Sequence, residues 1–572
     1  MKRIPKRKMS RRRFIKTAVA GASLSTLGSA SGCHFFRHGG RDHKEYDLLI
    51  ASGTVFDGLG NPGRELDVAV RAGKIVALGL RLDPDQAREV ISAKGLAVAP
   101  GFIDAHSHTT AELLVNLKAE SQVRQGVTTE ISGNCGDSPF PVAAATLEES
   151  RQYYRDEYDL ELDWTDMAGF FARLEKNGMA LNYATLLGQG SLRGAVVGLN
   201  DRPATAAEME KMRRLVDAHL RGGAFGLSSG LIYPPGSFAT TAELCELCRP
   251  VARRNGVYAT HMRNEGEKLL EAMDEALTIA RRSGVRLQIS HLKTSGQSTW
   301  GKIEAALAKL DAAAREGIRI GADRYPYIAG ATGLSSLFPQ EVRQGTDADF
   351  IARLRDPAWD ARLRENFRRE EEWIGSWDKV VISSVFSEKS KDLEGKSVLA
   401  AARSRGQECY EFMRDLLIAE QNRVGMISFS MSEENLRRVL AHPLAVVGSD
   451  GSVSAPYGVL AKGKPHPRLY GTFARILGKY VRQEKVLTLE RAIKKMTSQT
   501  ARTFGLDRRG QVREGYHADL VVFDPDRVED TATWENPQQY PRGIHQVVVN
   551  GLTVVREGEH TGRLPGRILK KT

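Results

Sequence analysis

FIDAHSH, residues 102–108, is the stretch on which the fold turns. Phe102, Ile103 and Ala105 make a short apolar run, and His106 and His108 stand two residues apart at its end. An extended chain sends alternate side chains to the same face, so both imidazoles can grip one ion. Such a pair is weak evidence alone, because a single histidine is more often a satisfied core or surface residue. Here the pattern recurs. Cys135 follows another strand-like run in SGNCGDSP (132–139), His261 ends VYATH, His291 ends LQISH, and Asp450 ends AVVGSD. Imidazole, thiolate and carboxylate form the mixed donor set that zinc accepts.

Working outward, strand-like runs fall at 102–106, 127–132, 180–188, 224–230, 257–262, 286–291, 319–327 and 444–450. Amphipathic helical patterns separate them, for example at 204–221, 240–255, 267–283 and 299–316. The expected class is α/β, a (β/α)8 TIM-like barrel over 101–504, with the six candidate ligands meeting at its C-terminal mouth. The gap before the last strand is too long for a loop and carries its own strand-like runs, KVVISSVF and VGMISFSM, which predicts an insertion at about 332–440. Residues 46–100 and 505–562 alternate like β-structure, so both termini are expected to build one small β-sandwich. GRLPGRILKKT at the end reads as a basic, solvated tail over 563–572.

The chain has 572 residues and a formal charge of +12, which on its face suggests a polyanionic partner. Nine basic side chains and no acidic one lie in residues 1–32, so the remainder carries 12 − 9 = +3. No nucleic-acid partner is expected from that remainder. SRRRFIK (10–16), followed by a soft apolar run to Gly32, resembles a twin-arginine signal peptide, which implies the twin-arginine export machinery and a periplasmic or other extracytoplasmic address. Ala30-Ser31-Gly32-Cys33 resembles a lipobox, making Cys33 a candidate lipidation site and membrane anchor; ordinary cleavage nearby is the alternative. Residues 33–45 then form a polar tether. Five cysteines argue against a disulfide framework. Cys245 and Cys248 sit one helical turn apart in AELCELCRPVARR and are expected to pack in the core.

Longer motifs carry a family resemblance. PGFIDAHSH (100–108) with the later Ser449-Asp450 resembles the amidohydrolase superfamily. GNCG (133–136), GLSSGLIYPPGSFA (226–239), YATHMRNE (258–265), QISHLK (288–293), YPYIAG (325–330), GSDGS (448–452) and HPRLYGTFARILGKYVR (466–482) resemble one branch, the N-acyl-D-amino-acid deacylases or D-aminoacylases. The resemblance extends to ADLVVFDPDRVEDTATW and PQQYPRGIHQVVVNG, and so runs from about Tyr46 to Gly562.

The resemblance implies a tightly held zinc on Cys135, His261 and His291, with His106, His108 and Asp450 bordering a second, weaker or vacant position that Cys135 bridges. The fourth strand, AFGLSSG, has no lysine to serve as a carboxylated bridge. Asp450 is the expected general base and then acid, and Lys293, Tyr325 and Arg468 are the expected holders of the substrate's α-carboxylate. Ala331 stands where several relatives have serine, which withdraws one substrate hydrogen bond. The activity implied is hydrolysis of N-acyl-D-amino acids. Cyclic-amide hydrolysis of the dihydropyrimidinase or dihydroorotase type and an exported, non-catalytic binding lipoprotein are the competing readings. Cys135 and the HPRLYGTF stretch disfavour the first, and the complete ligand set disfavours the second.

Overall fold

The computed structural model describes residues 44–571. The twin-arginine leader and Cys33 lie outside the described residues. Eight short parallel strands circle one axis: Phe102–Asp104, Val127–Ser132, Asn182–Thr185 continued by Leu187–Gly188, Gly226–Gly230, Val257–His261, Arg286–Ile289, Ile320–Arg324 and Ala445–Val447. The first three pair in order, and the remainder form an unbroken parallel run from Leu187–Gly188 to the eighth strand. A parallel bridge between Ser107 and Gly451, with Ala105 N–H donating to Val447 O, brings the last strand back to the first. The protein is therefore an α/β barrel of the TIM type.

Local sequence explains the outer helices. Ala206–Gly222 begins at Thr205, whose hydroxyl accepts from Glu208 N–H while the Glu208 carboxylate accepts from Thr205 N–H, satisfying the free end of the helix. In Thr241–Arg253 the buried stripe is Leu244, Cys245, Leu247, Cys248 and Val251. Both cysteines are thus core residues, and burial pushes their thiols above the ordinary range.

Between the seventh and eighth strands, Gly330–Gly333, Gly425–Ser428 and Val380–Ser384 form a separate antiparallel sheet with the middle strand central. It has its own apolar core, in which Trp377 stacks on Phe367 with ring centroids 4.3 Å apart. Its sheet opens at Gly330, slightly before the expected start. Helix Glu433–Ala441, expected inside the insertion, instead packs Leu436, Val439 and Leu440 into the main core. Its apolar stripe matches the barrel wall, which is why it belongs there.

Strands from both ends of the chain hydrogen-bond into one nine-stranded sheet. The join is antiparallel, Ala97–Pro100 against Leu520–Phe523. The closing residues differ from expectation. They are not a free tail: Arg563, Arg567 and Lys570 are exposed, but Tyr183 N–H donates to Arg567 O and Leu569 N–H to Tyr183 O, while the half-buried Leu564 and Ile568 pack against the main core. The basic residues mask the apolar Leu564, Ile568 and Leu569, and isolated parallel bridges join Pro565 to Met179 and Ile568 to Tyr183 on the third barrel strand.

Candidate metal centre and active site

Six side chains converge at the C-terminal mouth. Ligand atoms of His106, His108, Cys135 and Asp450 lie within 4.8 Å of one another, as do those of Cys135, His261 and His291. Cys135 is common to both groups. Its Sγ is 3.4 Å from Nε2 of His106 and 3.4 Å from Nε2 of His291. Asp450 Oδ1 lies 2.9 Å from His108 Nε2 and 3.3 Å from His106 Nε2. All are buried except His108, which is partly open to the cavity.

The strands stop short of several of these residues for a backbone reason. Cys135, His291 and Asp450 adopt φ values of 49°, 36° and 53°, the left-handed region that residues with a side chain rarely enter. The sixth and eighth strands were expected to run to 291 and 450, yet they end at Ile289 and Val447. The chain turns inward there and aims the ligand at the axis. Gly230 makes the turn at Cys135 feasible, since a Cβ at that position would lie 2.0 Å from the Cys135 carbonyl oxygen.

Two carboxylates that sequence reasoning left unassigned hold the candidate ligands in place. Asp323 Oδ1 lies 3.0 Å from His106 Nδ1 and accepts from His291 N–H at 2.8 Å, and its Oδ2 accepts from Gln288 Nε2 at 3.0 Å. This fixes His106 with Nε2 toward the cluster. Glu265 lies 2.9 Å from His291 Nδ1, 3.4 Å from His261 Nε2 and 2.6 Å from Lys293 Nζ. A period-two reading of the seventh strand could have found Asp323, which shares a face with Tyr325.

The donor set fits a metal of the zinc type. Burial opposes ionisation of Cys135, but His106 and His291 outweigh it and hold the thiol well below its usual range, in the form that ligates. Nε2 of buried His261 makes no well-formed hydrogen bond among the described residues, its carboxylate neighbour Glu265 being 3.4 Å away, which leaves a coordinating site that an ion would fill. Burial raises the Asp450 carboxyl, yet Arg468, His291 and His106 together hold it well below the ordinary carboxylate range.

Lys293, Tyr325 and Arg468 line the same cavity, which encloses about 1540 Å3. Lys293 is engaged by Glu265. Arg468 Nη1 pairs with Asp450 Oδ2 at 2.8 Å, and its guanidinium lies 4.8 Å from the centre of the Tyr325 ring. His466 accepts from Arg468 N–H at Nδ1 and donates from Nε2 to Ala329 O, so it seats the start of helix Arg468–Arg475. Burial, with Arg468 alongside, keeps its imidazole neutral. Tyr233, also unassigned from sequence, sets its ring 5.2 Å from that of His261 and bonds its hydroxyl to Thr332 at 3.1 Å.

A barrel with a cysteine, four histidines and an aspartate at the C-terminal ends of its strands defines a metal-dependent hydrolase scaffold. The chain belongs to the Amidohydrolase family, whose sequence profile matches residues 89–367 and 389–555. It is 37% identical over 543 residues to the D-aminoacylase of Alcaligenes xylosoxydans xylosoxydans, spanning 93% of this chain and 99% of that protein. It is 38% identical over 534 residues to the N-acyl-D-aspartate deacylase of the same organism, spanning 91% and 95%. A solved structure of N-acyl-D-glutamate deacylase from Bordetella bronchiseptica, complexed with zinc and a phosphonate inhibitor that mimics the tetrahedral intermediate, matches with a TM-score of 0.78 at 33% identity, covering 92% of this chain and 99% of that one.

Proposed function

We propose that the protein hydrolyses the amide bond of N-acyl-D-amino acids in a zinc-dependent reaction, releasing a carboxylate and a free D-amino acid. The observation that carries this reading is the placement of Asp450 against both the ligand cluster and Arg468 within one cavity. Cys135, His261 and His291 would hold one ion tightly, and His106, His108 and Asp450 would border a second, weaker position sharing Cys135. When bound, zinc supplies Lewis acidity to the scissile carbonyl and acidifies the attacking water.

Asp450 accepts the proton of that water at a carboxylate oxygen and delivers it to the departing amide nitrogen. The delivery matters because an amine anion is a very poor leaving group. Arg468, Lys293 and Tyr325 hold the α-carboxylate, which fixes the scissile bond relative to Asp450. The match to three deacylases acting on D-amino-acid derivatives supports the D configuration.

The terminal sheet is read as a companion domain to the barrel, and the sheet of Gly330–Ser428 as an insertion beside the mouth. SRRRFIK supports twin-arginine export to an extracytoplasmic site, with Cys33 as lipid anchor. Loading metal before export would also spare a thiolate and imidazole site from copper, which such donors bind more tightly.

The test is a hydrolysis panel on metal-stripped and zinc-restored protein. It contains N-acetyl-D and N-acetyl-L forms of leucine, aspartate and glutamate, with dihydrouracil and dihydroorotate as cyclic amides. Zinc-restored turnover confined to the D series is expected. Inactivity on every N-acetyl amino acid would overturn the proposal, and turnover of the cyclic amides alone would replace it.

A further inference from the structure

Arg324 ends the seventh strand and is 1% exposed. Nη2 donates to Tyr327 O at 2.8 Å and lies 3.0 Å from Met431 Sδ, while Nη1 is buried with no hydrogen-bond partner. No carboxylate among the described residues comes within ion-pairing distance of it. Burying a guanidinium without an anion is strongly unfavourable, so the charge calls for a partner.

The surroundings indicate where that partner belongs. The Arg324 guanidinium lies 4.1 Å from the centre of the Tyr325 ring, and that of Arg468 lies 4.8 Å from the same centre. Lys293 lines the same cavity as Tyr325. Of the three cations, Lys293 is paired with Glu265 and Arg468 with Asp450. Arg324 is the one left over: it lies outside the cavity lining, behind the Tyr325 ring, and brings one positive charge without a carboxylate partner to the back of that residue. Among the described residues the Tyr325 hydroxyl has only Met431 Sδ, at 3.9 Å, within bonding reach, which leaves it for an incoming acceptor.

We propose that Arg324 is a positioning residue for the substrate's α-carboxylate, acting through the Tyr325 ring that it stacks on. Its surplus charge favours an arriving carboxylate, which takes Arg468 away from Asp450 and engages the Tyr325 hydroxyl. Arg324 itself touches neither substrate nor reacting atoms. The inference rests on the deacylase reading and adds a residue that the sequence motifs did not single out.

The experiment compares zinc-loaded wild type with Arg324→Met, Arg324→Lys and Arg324→Gln. Two substrates are used, the best N-acetyl-D-amino acid of the panel and its α-carboxamide, which lacks the anion. Arg324→Met should raise KM for the carboxylate about tenfold with kcat changed less than about threefold, and leave kcat/KM for the carboxamide within about twofold. Arg324→Lys, which keeps the charge, should recover most of the lost KM. If Arg324→Met melts early, Arg324→Gln retains a donor to Tyr327 O and makes the same comparison without the charge. An unchanged KM, or equal losses on both substrates, overturns the proposal.

Calorimetric binding of the matching free D-amino acid separates this inference from the activity it rests on. Weaker binding to the uncharged variants supports the role of Arg324 even if the wild type hydrolyses nothing. Equal binding to all four proteins overturns it.

Discussion

Asp450 and Arg468 are paired across the barrel mouth, Oδ2 to Nη1 at 2.8 Å, while the other oxygen of Asp450 faces His106 and His108. One side chain is thus the proton carrier of the proposed reaction and the other its carboxylate clamp, and without substrate each satisfies the other. Both are almost fully buried, so neither charge would be stable alone. Substrate binding becomes an exchange: the incoming carboxylate takes Arg468, and Asp450 is released toward the reacting water.

Arg468→Met should therefore change two observables. Loss of the clamp should raise KM for N-acetyl-D-amino acids by at least about tenfold. The pH profile should move as well. Arg468 is the largest influence holding the Asp450 carboxyl below its ordinary value against burial, so its removal lets that carboxyl protonate at higher pH. The base form is then lost earlier as pH falls, and the acid limb of kcat/KM shifts upward. Steady-state kinetics across pH check this, and an unmoved acid limb would remove Arg468 from the electrostatics of Asp450.

Cys135 belongs to both ligand groups, so its loss should cost more metal than the loss of any single histidine. Cys135→Ala protein purified with zinc should retain far less than the wild type after dialysis against a weak chelator, measured by elemental analysis. His108→Ala, which touches only the group containing Asp450, should retain the first ion. Wild-type metal content in Cys135→Ala would refute the bridging role.

Much of this site was legible because period-two spacing and strand-end position need only local sequence. His106 and His108 follow from one strand, and the other ligands from the recurrence of the same placement. Glu265 and Asp323 were not assigned because their role depends on which strands are neighbours. Asp323 is 217 residues from His106 along the chain and 3.0 Å from it in space. The left-handed backbone at Cys135, His291 and Asp450 also escaped notice, since none is a glycine and residues with a side chain rarely adopt it. The final residues were misread for the opposite reason: their lysines and arginines are local, whereas the partner of Leu564 and Ile568 is the distant third strand.

Glu265→Gln tests how far the missed carboxylates matter. Glu265 contacts both His291 and Lys293, which also touch each other at 2.8 Å, and the isosteric amide keeps its shape while removing the charge. Losing such a support to a ligating histidine typically costs about 10- to 100-fold in metal affinity or activity. Zinc competition titration should show weaker retention, with kcat falling alongside. Unchanged affinity and kcat would leave Glu265 as packing alone.

Glu130 offers a stability test below the metal cluster. It lies on the second barrel strand, fully buried, with Oε2 3.0 Å from both Ser107 Oγ and Thr109 Oγ1 and with Oε1 unpartnered. Burial, with Asp104 nearby, pushes its carboxyl from 4.5 up to about 8. Between those values the folded protein keeps a proton that the unfolded chain has released, so stability falls as pH rises through that window. Below it both states are protonated, and above it both are ionised with the full penalty, on the order of a few kcal/mol. Glu130→Gln keeps the hydrogen-bonding shape and cannot ionise. Its melting temperature relative to wild type should therefore climb as the buffer is moved from about pH 5 to about pH 8. Thermal denaturation of both proteins across that range decides the point, and a difference that stays constant with pH would mean that Glu130 is ionised in the folded barrel throughout.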